Sequence, residues 1–152
     1  MGLPAHNKTI KEGTIAVTND IDNRVGGLLE DSDFIVNNMK GSCQEIATEI
    51  ENILPDLVIT CVGKTGKFGV TLCRELKKRR GTRMIPIIFI SRDNNFVEEK
   101  AAFVYGCLDY LDQDEEDINK KISRYIKLGK VEKSLKRLRD RYEDDIYFGH
   151  KV

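Results

Sequence analysis

Four cysteines, two histidines and a set of carboxylates that follow apolar runs are the groups in this sequence with the chemistry to do work. The cysteines are Cys43, Cys61, Cys73 and Cys107; none forms a C-x-x-C pair, and His6 and His150 stand at opposite ends of the chain. A zinc site needs clustered thiolate and imidazole ligands, so that spacing argues against one. Cys61 closes the apolar run Leu57-Val58-Ile59-Thr60-Cys61-Val62. A thiol at a strand end could sense oxidants, but a reactive thiolate needs a neighbouring cation. No His or Lys adjoins Cys61, and Asp20 and Asp112 would raise its pKa. Reduced thiols in apolar surroundings are the simpler reading for Cys61, Cys73 and Cys107. Asp20, Asp22 and Asp112 could offer hard oxygen ligands to a weakly held calcium or magnesium ion, although solvated loop acids explain them as well. Gly63-Lys64-Thr65-Gly66 resembles part of a phosphate-binding loop, but Val58 occupies the place of the first glycine that loop requires. No cofactor and no resident metal are expected.

These groups act only where the elements place them. Residues 1–12 are polar and aperiodic and read as a tail. Apolar runs at Thr14-Ile15-Ala16-Val17, Phe34-Ile35-Val36, 57–62, 85–91 and Leu108-Asp109-Tyr110-Leu111 read as five strands. Between them lie helical patterns at 23–31 (weakened by Gly26-Gly27), 42–53, 70–77, 95–105 and around Ile118, Ile122, Tyr125 and Ile126. Pro55 breaks the second helix, and Gly106 stops the fourth. The basic run Lys77-Lys78-Arg79-Arg80 closes the third, where cations favour the helix dipole. Strands that are apolar throughout and alternate with helices predict an α/β protein of three layers, a doubly wound five-stranded parallel sheet covered on both faces. The site of such a sheet lies at the carboxyl ends of its strands. Here those ends are Thr18-Asn19-Asp20, Cys61-Val62, Ser91 and Asp112-Gln113. Gly129 is expected to end the fifth helix, leaving residues 129–152 as an extra amphipathic helix and tail beyond a unit at 13–128. That helix carries Val131, Leu135, Leu138, Tyr142 and Ile146 at spacings of three and four.

The stretch from Thr14 to Leu128 resembles the receiver domain of bacterial response regulators. The resemblance rests on Pro55-Asp56-Leu57-Val58-Ile59-Thr60-Cys61, Gly66 and Gly69, Cys73-Arg74-Glu75-Leu76, Ile85-Pro86-Ile87-Ile88-Phe89-Ile90-Ser91 and Tyr105-Gly106-Cys107-Leu108-Asp109-Tyr110-Leu111. It implies a flavodoxin-like sheet of strand order 2-1-3-4-5. In that family a carboxylate ending the third strand accepts a phosphoryl group, and two acids ending the first hold magnesium. A Ser or Thr after the fourth strand and a Lys after the fifth contact the phosphoryl oxygens. The matching positions here hold Cys61, the pair Thr18 and Asn19 (with Asp20 next), Ser91 and Gln113, with Asp112 beside it and Tyr110 at the switch aromatic. Acceptor, acid pair and lysine are all replaced, and a soft thiol suits magnesium poorly. The resemblance therefore implies a pseudo-receiver: no enzyme, but a phosphorylation-independent protein-interaction module in signal transduction.

Composition limits the partners. The 25 Lys and Arg balance the 25 Asp and Glu, so no global field draws the chain to nucleic acid or membrane. No apolar run reaches the roughly 18 residues of a membrane span, and a cytoplasmic location is expected. A basic section from Lys120 to Arg141 could contact nucleic acid, but it has little aromatic interleaving and the acids Glu143, Asp144 and Asp145 follow it. The expected partner is another signalling protein or a second copy, met by the stripe of the C-terminal helix beside the face of the fourth helix, fifth strand and fifth helix. Redox sensing through Cys61 and nucleic-acid contact through the basic helix are the alternatives.

Overall fold

A computed structural model describes residues 13–20, 23–30, 32–62, 67–91 and 96–149. Among them five strands, β1 (Gly13–Thr18), β2 (Phe34–Met39), β3 (Leu57–Cys61), β4 (Ile87–Ser91) and β5 (Asp109–Asp112), alternate with helices α1 (Arg24–Leu28), α2 (Cys43–Ile53), α3 (Lys67–Lys78), α4 (Phe96–Val104) and α5 (Ile118–Gly149). All four strand pairings are parallel, in the order β2-β1-β3-β4-β5.

Alternation along the strands feeds two cores. Ala16, Val58, Ile87 and Phe89 pack under α2, α3 and α4 through Ile46, Ile50, Leu72, Leu76 and Ala102. Ile15, Val17, Leu57, Ile59, Ile88 and Ile90 pack under α1 and α5 through Val25, Leu29, Ile118, Ile122 and Ile126. Each such aliphatic chain contributes roughly 1.5–3 kcal/mol on burial. That is why β3 and β4 are built from branched residues on both faces. Local signals set the boundaries. Ser42 caps α2 in a capping box with Glu45, and α2 ends at Leu54, in the left-handed region, just before Pro55. Gly106, at φ 100°, turns the chain after α4.

Two elements differ from expectation. α1 has only five residues, shorter than the 23–31 pattern. At Gly26 a Cβ would lie 2.0 Å from the Asn23 side-chain oxygen, which would have to move aside. Gly129 does not end a helix, since α5 runs unbroken for 32 residues. A Cβ at Gly129 would fall 1.8 Å from the Asp56 carbonyl oxygen. The glycine is there because the helix meets the backbone entering β3, and one glycine costs a helix only about 1 kcal/mol.

Candidate functional site

The carboxyl ends of β1 and β3 bring Thr18, Asn19, Asp20 and Cys61 together. Thr18 is paired in register with Thr60, is fully buried, and donates its hydroxyl to Thr60 Oγ1 at 3.0 Å. It belongs to the sheet interior. Asn19, at φ 58°, reverses the chain in the left-handed conformation that Asn tolerates best. Its Nδ2 donates to the Cys61 carbonyl at 3.1 Å. Asp20 accepts from the Val25 amide at 3.0 Å on Oδ1 and from the Gly26 amide at 2.7 Å on Oδ2. Its carboxylate thus closes the start of α1, where free amides welcome an anion.

Cys61 is the last residue of β3 and lies beside the Asp20 carboxylate. Burial, then the Asp20 charge and a hydrogen bond to it, push its thiol far above the ordinary cysteine range. Burial likewise raises Cys73 to about 11 and Cys107 to about 12. Cys43 is raised as well, by burial and then by Glu75.

Ser91, Tyr110, Asp112 and Gln113 gather at β4 and β5. Ser91 is buried and aligned with Asp112, and its carbonyl accepts the Gln113 amide at 2.9 Å. Tyr110 stacks on Phe89 with centroids 5.8 Å apart. Asp112 Oδ1 accepts the Asp114 amide at 2.9 Å, forming a local turn. β1 and β5 are separated by β3 and β4, three strand spacings or about 14 Å. Asp20 and Asp112 therefore cannot share an ion. Asp22 and the Gly63-Lys64-Thr65-Gly66 motif lie outside the described residues. Among the described residues no group of three or more His, Cys, Asp or Glu is placed to hold a metal ion.

A cleft of about 740 Å³ opens over the ends of β1 and β2 rather than over β3 to β5. Asn19, Asp20, Asn23, Asn38 and Lys40 supply its polar lining, and Val17, Met39, Ile46 and Phe68 its apolar one.

At the opposite edge of the sheet the structure has a junction that the sequence did not announce. Asp56, 6% exposed, accepts the Thr14 amide on Oδ2 at 2.9 Å and pairs through Oδ1 with Lys133 of α5 at 2.9 Å. The basic run after α3 belongs here too. Lys77 donates to the Arg83 and Ile85 carbonyls, and burial lowers its pKa while Cys73, Glu132 and Cys107 act against that. Arg79 pairs with Glu75 and Glu51. Arg80 pairs with Asp140 at 3.5 Å and Glu143 at 2.6 Å. The inward positions of the α5 extension thus clamp the amino-terminal edge of the sheet. Its apolar stripe faces out: Val131 is 54% exposed, Leu135 50%, Leu138 58% and Tyr142 67%. The side chain of Ile146 lies outside the described residues. The inward contacts of the extension lie at Asp56 and Arg80. The only sequence signals were a glycine inside a helical pattern and an acid ahead of a buried strand.

No family model matches the chain, and no curated protein matches it. Solved structures do. A response regulator from Chloroflexus aurantiacus J-10-fl aligns at 24% identity and a TM-score of 0.65, over 75% of this chain and 97% of that one. The signal receiver domain of a signal transduction histidine kinase from Syntrophus aciditrophicus aligns at 22% and 0.62, over 78% and 90%. Chemotaxis protein CheY4 of Vibrio cholerae aligns at 16% and 0.63, over 74% and 97%. The chain has the CheY-like fold, with a C-terminal helix of 32 residues. No helix among the described residues is long and apolar enough to cross a membrane.

Proposed function

We propose that this chain is a receiver-like interaction module of signal transduction that works without phosphorylation and meets its partner through the α5 extension. The observation that carries the reading is Asp20: the one described acid at the end of β1 has both oxygens on the amides that open α1. Magnesium would have to compete with those amides for its ligand. Cys61 takes the acceptor position, Asn19 braces the β3 carbonyl, and Gln113 stands where a lysine would neutralise phosphoryl charge. A phosphoryl group at the Cys61 end would meet the charge of the Asp20 carboxylate. The raised Cys61 thiol also argues against the redox alternative, because the thiolate is the reactive form. With the pocket positions replaced, the exposed stripe of α5 is a surface that can carry specificity.

Intact mass after incubation with acetyl phosphate and magnesium tests this. The expected result is no phosphoryl adduct. An adduct on Asp20, Ser91 or Asp112 that disappears on substitution of that residue contradicts it.

A further inference from the structure

The outward face of the α5 extension separates charge as well as polarity. The seam of Val131, Leu135, Leu138 and Tyr142 repeats at four, three and four residues, the two-per-heptad spacing of a coiled-coil contact. Lys127, Arg141 and Arg137 follow one another round one side of it, from about 50° to about 130° off its centre, and are exposed. None of the three has an ion pair among the described residues. No exposed position from Arg124 to Tyr142 is acidic. The acids of this stretch have cations beside them: Asp140 pairs with Arg80 and Lys136, and Glu132 lies near Lys77. The side of the helix opposite the seam is held against the chain's own domain, through Lys133 on Asp56.

We infer that the seam docks an acidic amphipathic helix of a partner protein, whose apolar stripe covers Leu135 and Leu138 and whose carboxylates face Arg137 and Arg141. This rests on the interaction-module reading and names the chemistry of its partner. A second copy fits less well. An antiparallel pair would set the two basic edges against each other. A helix lying on anionic lipid needs a broad apolar face, and this one is a single narrow seam. Nucleic acid would leave the four apolar side chains uncovered, since phosphate contacts come from the cations.

The test is fluorescence anisotropy of the intact chain with a designed helical peptide of about three heptads, Leu at the seam positions and Glu on the flanks. The same peptide with Lys flanks, and phosphatidylserine vesicles, are titrated alongside. The acidic peptide is expected to bind at least about tenfold tighter than the basic one, with the gap narrowing as salt rises and the Debye length shrinks. Leu135→Asp/Leu138→Asp abolishes binding, and Arg137→Glu/Arg141→Glu reverses the preference between the peptides. All four positions are exposed, so both variants keep the parent's circular dichroism spectrum and Tm. Equal binding of the two peptides, or binding indifferent to both variants, overturns the inference. So does a preference for the vesicles, or a dimer in sedimentation equilibrium that Leu135→Asp/Leu138→Asp dissolves. The phosphoryl-adduct measurement is independent of all these outcomes, so the seam can fail while the wider reading stands.

Discussion

A carboxylate near a strand end has two uses, as a metal ligand or as a cap for backbone amides, and Asp20 takes the second. The residue types at the carboxyl edge were legible in the sequence because each stands at or beside a strand end. The capping role of Asp20 was not, since it depends on the left-handed turn at Asn19 and on the missing Cβ of Gly26. The thiol chemistry makes a prediction at this scale. Burial holds Cys61, Cys73 and Cys107 protonated in the folded chain above the pH at which the unfolded chain releases those protons. The folded state then binds more protons, so stability is full below the ordinary cysteine pKa and falls as pH rises through it. Chemical denaturation between pH 8 and 10 should show this decline. Cys61→Ala should flatten its slope by up to about 1.4 kcal/mol per pH unit. A slope unchanged in Cys61→Ala would mean that this thiol ionises in the folded chain. Glycines give a second contrast. Gly129→Ala forces a Cβ onto the Asp56 carbonyl and should cost about 2–3 kcal/mol. Gly27, with nothing within 4 Å of its missing Cβ, should gain roughly 0.5–1 kcal/mol on replacement by Ala. Denaturant midpoints of the two variants should move in opposite directions.

Among the elements, the strands and the inner helices follow from apolar runs and helical spacing, because a parallel sheet buried on both faces leaves strands little freedom of composition. α5 was harder to read. A glycine at a boundary and a glycine at a close approach look alike in sequence, and only the position of Asp56 separates them. The consequence is that the extension is part of the fold. A chain ending at Leu128 loses the Lys133 partner of the buried Asp56 carboxylate. A hydrogen bond to a buried charged group is worth about 1.5–3 kcal/mol, so the truncated chain should melt roughly 5–10 °C lower. Lys133→Met should reproduce most of that loss. If truncation leaves Tm unchanged, α5 beyond Leu128 is an appendage and the clamp does not exist.

For the molecule as a whole, the two edges of one sheet have exchanged importance. The carboxyl edge holds Cys61, Ser91 and Gln113 at its strand ends, and Asp20 and Asp112 there accept backbone amides of their own loops. The amino-terminal edge, plain in most parallel sheets, is clamped by a 32-residue helix that turns an apolar, basic-edged seam outward. Architecture and strand order were readable because they follow from patterning. The orientation of the seam was not, because it is decided by tertiary ion pairs at Lys133 and Arg80. The most direct test of phosphorylation independence is the ¹H–¹⁵N correlation spectrum of the chain titrated with beryllofluoride and magnesium, which together mimic the aspartyl phosphate of a receiver. With phosphorylation independence, the amide signals of Cys61, Ser91, Tyr110 and Gln113 stay where they are, with no saturable change. Saturable shifts that cluster at those residues and spread into β5 and α5 would contradict it.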